Sequence, residues 1–246
     1  MPLPREIIGN GPQVVVLHGG PGLSHHYLLP QFAALADQFQ LVLYDQRTDG
    51  TPTWQNHVAD LETLRGELGS EKLRLCGYSW GGLLALLYAL EHPSAVDQLA
   101  LCSPAPPVYI YRAEMQEIMR QRLARADAIG LVGFPRAVAG YFANPELAEE
   151  LTPFRVKTRA EQSVLKSLGN YDLRPRLSEI QCPVLAVHGT EDPIPIRFTE
   201  ELVRLLPKAR LVRLNGCGHV PYIECAEPFF EALRAFLGDN MWHRFH

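Results

Sequence analysis

Residues Gly77-Tyr78-Ser79-Trp80-Gly81-Gly82 leave the chain around them little freedom. Before them runs Lys72-Leu73-Arg74-Leu75-Cys76, a short apolar stretch that reads as a buried strand. After them, residues 83–91 read as a helix that stops at His92-Pro93. The chain must therefore pass from strand to helix within a few residues, with a serine at the apex. Such a turn forces Ser79 into a strained backbone conformation. Side chains two positions to either side would collide, which accounts for Gly77 and Gly81. The turn also lifts the hydroxyl clear of the sheet, at the start of a helix whose free N–H groups favour developing negative charge. An ordinary serine in a glycine-rich turn would be spelled the same way, so the rest of the chain decides.

The rest of the chain alternates. Apolar runs at 13–17, 40–44, 72–76 and 99–102 are separated by helical patterns at 28–37, 58–68 and 83–91. Ile7-Ile8 is a short edge strand. That rhythm implies an α/β fold, a mostly parallel doubly wound sheet with helices on both faces. It breaks at Pro104. Residues 108–176 carry no buried strand run, and Tyr111, Met115, Ile118, Met119 and Leu123 lie on one face of a long helix. Asn144-Pro145 reads as a cap with a first-turn proline, and Thr158-Arg159-Ala160-Glu161 fits a capping box. Alternation resumes with strands at 183–187 and 209–214 and helices at 198–206 and 228–237. The expected division is a core of residues 1–103 and 177–246 and a helical lid of residues 104–176. The polar and aromatic tail, residues 239–246, is expected to be loosely held.

Composition narrows the function. A length of 246 residues suits one large α/β domain with a small insertion, and 47% apolar residues supply a core. A net charge of -4, spread along the chain, gives no electrostatic case for nucleic acid or an anionic membrane as partner. The first residues lack the apolar stretch of a signal peptide, and no run approaches the roughly 20 apolar residues that span a bilayer. The five cysteines are scattered, without a C-x-x-C pair, and read as reduced thiols. A cytoplasmic protein without a metal site or cofactor is expected; oligomeric state is left open.

Three reactive groups fall at the ends of three strands in the order Ser79, Asp192, His219. In a parallel sheet those ends share one edge. His219 would take the serine proton during attack and return it to the leaving group, while Asp192 would hold the imidazole tautomer. The loop His18-Gly19-Gly20-Pro21-Gly22 follows the first buried strand, and its glycines let backbone N–H groups approach a ligand. The N–H groups of Gly20 and Trp80 would bind a tetrahedral oxyanion, each worth roughly 3 kcal/mol of barrier. Among the nine histidines, His18 reads as structural and His188 as support for the acid loop. His25 and His26 either line the pocket or are exposed. Glu191 adjoins Asp192 and competes with it, whereas Asp45 and Asp97 come too early in the order. Cys217 lacks an elbow and reads as a loop residue.

The glycine loop at 18–22, Asp45-Gln46-Arg47, the serine turn, the aspartate loop and Gly216-Cys217-Gly218-His219 together resemble the proline iminopeptidase family of α/β hydrolases. The tricorn-interacting aminopeptidases are similar. The resemblance covers nearly all the core and fades in the lid. It implies the α/β-hydrolase fold and release of an N-terminal residue, often proline, from peptides or amides. It carries over Ser79, Asp192 and His219 as the triad and Gly20 and Trp80 as oxyanion donors. Family members continue Asp-Gln-Arg with Gly-x-Gly-x-Ser, whereas this chain reads Thr48-Asp49-Gly50-Thr51-Pro52. Lid glutamates hold the substrate ammonium in the family. The acids here are Glu114, Glu117, Glu146, Glu149, Glu150 and Glu161, with Glu191 a further candidate and His26 a candidate pocket residue. The expected activity is therefore a serine hydrolase of small peptides or amides. A carboxylesterase or lactonase, and a non-catalytic ligand-binding protein of the same fold, are the alternatives.

Overall fold

A computed structural model describes residues 3–238. The tail at 239–246, expected to be loosely held, lies outside the described residues. The strands are β1 (Arg5–Ile8), β2 (Gln13–Leu17), β3 (Gln40–Tyr44), β4 (Leu73–Tyr78), β5 (Val96–Cys102), β6 (Val184–Gly189) and β7 (Ala209–Leu214). They form one seven-stranded sheet in the order β1-β3-β2-β4-β5-β6-β7. β1 pairs antiparallel with β3 at one edge, and all other neighbours are parallel. β7 closes the other edge.

The helices are α1 (Leu29–Phe32), α2 (Trp54–Glu67), α3 (Trp80–Glu91), α4 (Arg112–Ala128), α5 (Gly133–Val138), α6 (Thr158–Leu168), α7 (Arg197–Leu205), α8 (Pro221–Glu224) and α9 (Ala226–Leu237). Because side chains alternate along a strand, each β-strand feeds two cores. Val14 and Val16 of β2 join Phe32, Phe229 and Leu233 on one face of the sheet. Val15 and Leu17 join Leu61, Leu64 and Leu84 on the other. α3 is buried from Trp80 through Leu90, as its unbroken apolar sequence demands. α2 opens with a reciprocal cap: Thr53 Oγ1 accepts the Asn56 N–H at 3.3 Å and the Thr53 N–H reaches Asn56 Oδ1 at 2.9 Å.

Two expectations from local pattern fail. The helix expected over 28–37 is broken into α1 and a 3₁₀ turn, Ala33–Leu35. The tighter turn puts residues three apart on one side, so Phe32 and Leu35 are both fully buried. The capping box at Thr158 does not form either. Lys157 is the N-cap, no side chain caps α6, and Thr158 is already helical.

Among the described residues, 104–176 add no strand to the sheet. The segment leaves and returns at one place: Val108 bridges Asp172, the Leu173 N–H donates to the Pro107 carbonyl at 2.7 Å, and the Tyr109 N–H to the Tyr171 carbonyl at 3.1 Å. Between those points lie α4, α5, α6 and three 3₁₀ turns, Tyr109–Tyr111, Ala139–Tyr141 and Pro145–Glu150.

The chain order of the sheet reverses between β2 and β4, since β3 lies outside β2. Loops leaving the two strands at such a point diverge and leave a crevice at their carboxyl ends. The glycine loop follows β2 and the serine turn follows β4, so both open onto it.

Candidate active site

Ser79 has φ +54° and ψ −116°, a conformation that L side chains rarely adopt. Its neighbours explain why. A Cβ at Gly77 would overlap the Gly81 carbonyl, and one at Gly81 would overlap the Leu17 carbonyl at the end of β2. The turn is held by hydrogen bonds from the Ser79 N–H to the Cys102 carbonyl at 2.9 Å and from the Ala105 N–H to the Ser79 carbonyl at 2.9 Å.

His219 Nε2 lies 3.0 Å from Ser79 Oγ. Its Nδ1 lies 2.8 Å and 3.0 Å from the two oxygens of Asp192. Both Asp192 and His219 are buried. Asp192 also accepts the Ile194 N–H at 2.7 Å, and His188 Nε2 sits 3.4 Å from its other oxygen. Burial alone would raise the Asp192 carboxyl. The charges of His219 and His188, with the hydrogen bonds from His219 and Ile194, outweigh it and hold the group below the ordinary Asp value. His188 itself is pushed down by burial, and its ring is held between the Ile194 carbonyl at 2.9 Å and Thr199 Oγ1 at 2.9 Å.

The Gly19 N–H is engaged by the Tyr27 hydroxyl at 2.8 Å, and Gly20 turns away with φ +56°. Trp80 is the first residue of α3, so its N–H has no acceptor one turn back. Both Gly19 and Gly20 line a cavity of about 380 Å³ together with Ser79, His219, Tyr141 and Glu161. Most of the rest of its wall is apolar, with Leu23, Phe134, Val138 and Phe154 prominent beside Tyr27, Tyr78 and Tyr222. Leu23, Phe134 and Phe154 also line a wider and more polar recess of about 890 Å³ that holds Arg155 and Lys157.

Of the lid acids, Glu161 is the one that reaches this cavity among the described residues. Burial raises its carboxyl. Glu114 is instead paired with Arg197, and Glu117 with Arg120. Two other candidates are corrected. Glu191 is exposed and lines a separate recess beside Arg122 and Arg197, because its loop turns it to the far side of Asp192. His26 is exposed and stacks on His25 at 4.4 Å, outside the cavity. His25 is turned inward but serves Asp45, which accepts its N–H at 2.9 Å and faces its Nδ1 at 2.8 Å. Ligand atoms of His25, His26 and Asp45 lie within 4.8 Å of one another, yet Asp45 is already committed to His25. Cys217 is buried, and burial raises its thiol far above the range of a nucleophile.

Two contributors have no sequence signature, and a third, Gln46, belongs to the Asp45-Gln46-Arg47 motif to which sequence assigned no role. The Tyr141 carbonyl accepts the His219 N–H at 2.7 Å. Glu224 accepts the Gly218 N–H at 2.9 Å and the Ala143 N–H at 2.7 Å, tying the histidine loop to the lid. Gln46 bridges the glycine loop and α3. The Tyr141 and Glu224 contacts join the histidine loop to lid backbone distant in sequence, and no local pattern reports such a pairing.

The chain is 28% identical to a proline iminopeptidase of Lactobacillus delbrueckii subsp. lactis, over 91% of this chain and 89% of that protein. It superposes on an esterase from Thermogutta terrifontis with a TM-score of 0.74 at 25% identity, covering 96% of this chain and 93% of the other. A proline iminopeptidase of Mycobacterium smegmatis shares the fold with a TM-score of 0.71 at 23% identity, covering 95% and 93%. No helix of the described residues is long and apolar enough to cross a membrane. The family profile described as alpha/beta hydrolase matches residues 14–232, from β2 into the last helix, and the chain belongs to that family.

Proposed function

We propose that this chain is a serine hydrolase that works through an acyl-enzyme on small substrates with a free amino group beside the scissile carbonyl, as in removal of an N-terminal residue from a short peptide. Ser79 Oγ attacks the carbonyl carbon while its proton passes to His219 Nε2. The carbonyl oxygen becomes an oxyanion and takes the N–H groups of Gly20 and Trp80. Collapse breaks the C–N bond, and His219 returns the proton to the departing amine. A water molecule, deprotonated by His219, then attacks the acyl ester and frees Ser79. Asp192 stays ionised throughout and favours the imidazolium. The outer recess offers room for the leaving group.

The amino-group preference rests on Glu161. A carboxylate in a mostly apolar cavity that holds no other charged lid residue among the described residues, raised by burial and without a side-chain partner among them, calls for a cation. A substrate ammonium supplies one. The relatives named proline iminopeptidase point the same way.

A carboxylesterase is the second reading, favoured by the mostly apolar lining and by the likeness to the Thermogutta esterase. An ester needs less help from His219 in expelling its leaving group. Turnover of aminoacyl arylamides, prolyl among them, against short-chain aryl esters separates the two, with Ser79→Ala as control. The peptidase reading expects arylamide cleavage that is lost when the α-amino group is blocked. Ester cleavage alone, indifferent to a free amine, would sink it. A non-catalytic role would require that a fluorophosphonate fail to label Ser79 in the folded protein.

A further inference from the structure

Asp45-Gln46-Arg47 follows β3 and lines the outer recess, and the mechanism above gives it no part in the chemical step. Its middle residue is 2% exposed. Gln46 Oε1 accepts the indole N–H of Trp80 at 2.7 Å, and Gln46 Nε2 donates to the His18 carbonyl at 2.9 Å. The Gln46 backbone N–H donates to His18 Nε2 at 3.1 Å. That last bond fixes the imidazole tautomer: Nε2 accepts, so the proton sits on Nδ1, 3.0 Å from the Gly19 carbonyl. Burial pushes His18 down to about 4, so the ring is neutral at pH 7. The flanking residues anchor the triplet. Asp45 holds His25, Arg47 makes a two-bond pair with Asp60, and the Arg47 carbonyl faces His57 Nε2 at 3.1 Å.

We infer that Gln46 is a positioning residue that sets the separation and aim of the two oxyanion donors, the N–H groups of Gly20 and Trp80. The inference rests on the serine-hydrolase reading. The donors belong to segments far apart in sequence. One amide grips both: the carbonyl two residues before Gly20, and the side chain of Trp80 itself. A side-chain amide is planar, so its two bonds tie the segments at a fixed distance. The segments already touch below this point, where Gly81 leaves no room for a Cβ against Leu17. Without the amide, a buried indole N–H and a buried carbonyl lose their partners, and both segments must shift to find others. Oxyanion donors act only when they point at the place where charge develops.

The test measures kcat per serine titratable with a fluorophosphonate, so that misfolded molecules do not count. In Gln46→Leu this value falls about 10- to 100-fold, the cost of donors displaced by a fraction of an ångström to an ångström. KM stays within about twofold, because ground-state contacts are kept. Affinity for an aryl boronic acid, whose serine adduct carries the tetrahedral oxygen, falls by the same factor as kcat. Trp80→Phe keeps an aromatic ring and loses the donor, so it lowers kcat too. Combining the two changes adds nothing beyond Gln46→Leu, since both break one connection. Full kcat per titratable serine in Gln46→Leu, or a loss confined to KM, would overturn the inference. If Gln46→Leu fails to fold, Trp80→Phe decides: kcat lowered at constant KM supports the inference, and unchanged kcat overturns it. A wild-type protein with no titratable Ser79 overturns the hydrolase reading and this inference together. A titratable wild type with unaffected variants overturns this inference alone.

Discussion

Asp192 is surrounded by groups that favour its charged form, and Glu161 by groups that do not. The two acids therefore pull stability in opposite directions with pH. For Asp192, the folded state holds the carboxyl below its unfolded value. Its contribution is complete above the unfolded value, near 3.8, and is lost as pH falls through the lower folded one. Asp192→Asn should cut kcat by about 10⁴-fold, by presenting the wrong partner to His219 Nδ1. It should also flatten the acid limb of a melting-temperature profile; an unchanged limb would assign that limb to other groups. For Glu161 the sign reverses. Its folded value is raised, so the native state is penalised as pH rises from the unfolded value, near 4.5, through the folded one. Glu161→Gln should therefore melt no lower than the parent at pH 7. It should lose about 10- to 100-fold in kcat/KM on aminoacyl arylamides, the worth of a charged hydrogen bond, with little change on aryl esters. Equal losses on both substrates would remove Glu161 from the amine site. In sequence this residue looks like the last member of a capping box. A run of four letters carries no information on whether a side chain curls back to its own backbone or faces a cavity made by other segments.

At the level of elements, legibility followed locality. The strand-turn-helix around Ser79 was readable because its constraint is internal: two glycines and a serine within five residues must avoid each other. The strand expected at 209–214 matches β7 to the residue. The helix expected over 28–37 was not readable, because the break after Phe32 answers to packing against Tyr222, Phe229 and Phe230 from the far end of the chain. The same locality makes the turn fragile. Gly81→Ala should destabilise by about 2 kcal/mol or more, since the new Cβ meets backbone that cannot rotate away. For a chain of this size that is a drop of ~4–8 °C in melting temperature. A variant that melts with the parent would mean that α3 and β2 separate more easily than their contact implies.

For the molecule as a whole, the parallel order of strands could be reasoned from alternation, and the meeting of Ser79, Asp192 and His219 from their loops at the strand ends and their order along the chain. The seating of residues 104–176 could not. Val138, Phe142, Ala148 and Leu151 from that segment belong to the same apolar cluster as Val14, Leu43 and Val187 of the sheet. Val164 of α6 joins the opposite cluster. Core and insertion thus share what holds them together, and calorimetry should record one unfolding transition with equal calorimetric and van't Hoff enthalpies. Two resolved transitions would show the insertion melting by itself.

The bond from the His219 N–H to the Tyr141 carbonyl ties the proposed proton acceptor to backbone of the covering segment. Any movement that lifts residues 139–144 to admit a substrate also releases the imidazole from one of its restraints, and releases Glu224 from the same stretch. On the proposed mechanism, the serine would then be least reactive while its mouth is widest and regain its strength on reclosure. An intruder that props the mouth open meets a disarmed nucleophile. Selectivity in such an arrangement depends on whether a guest lets the door shut behind it as well as on what the chamber recognises.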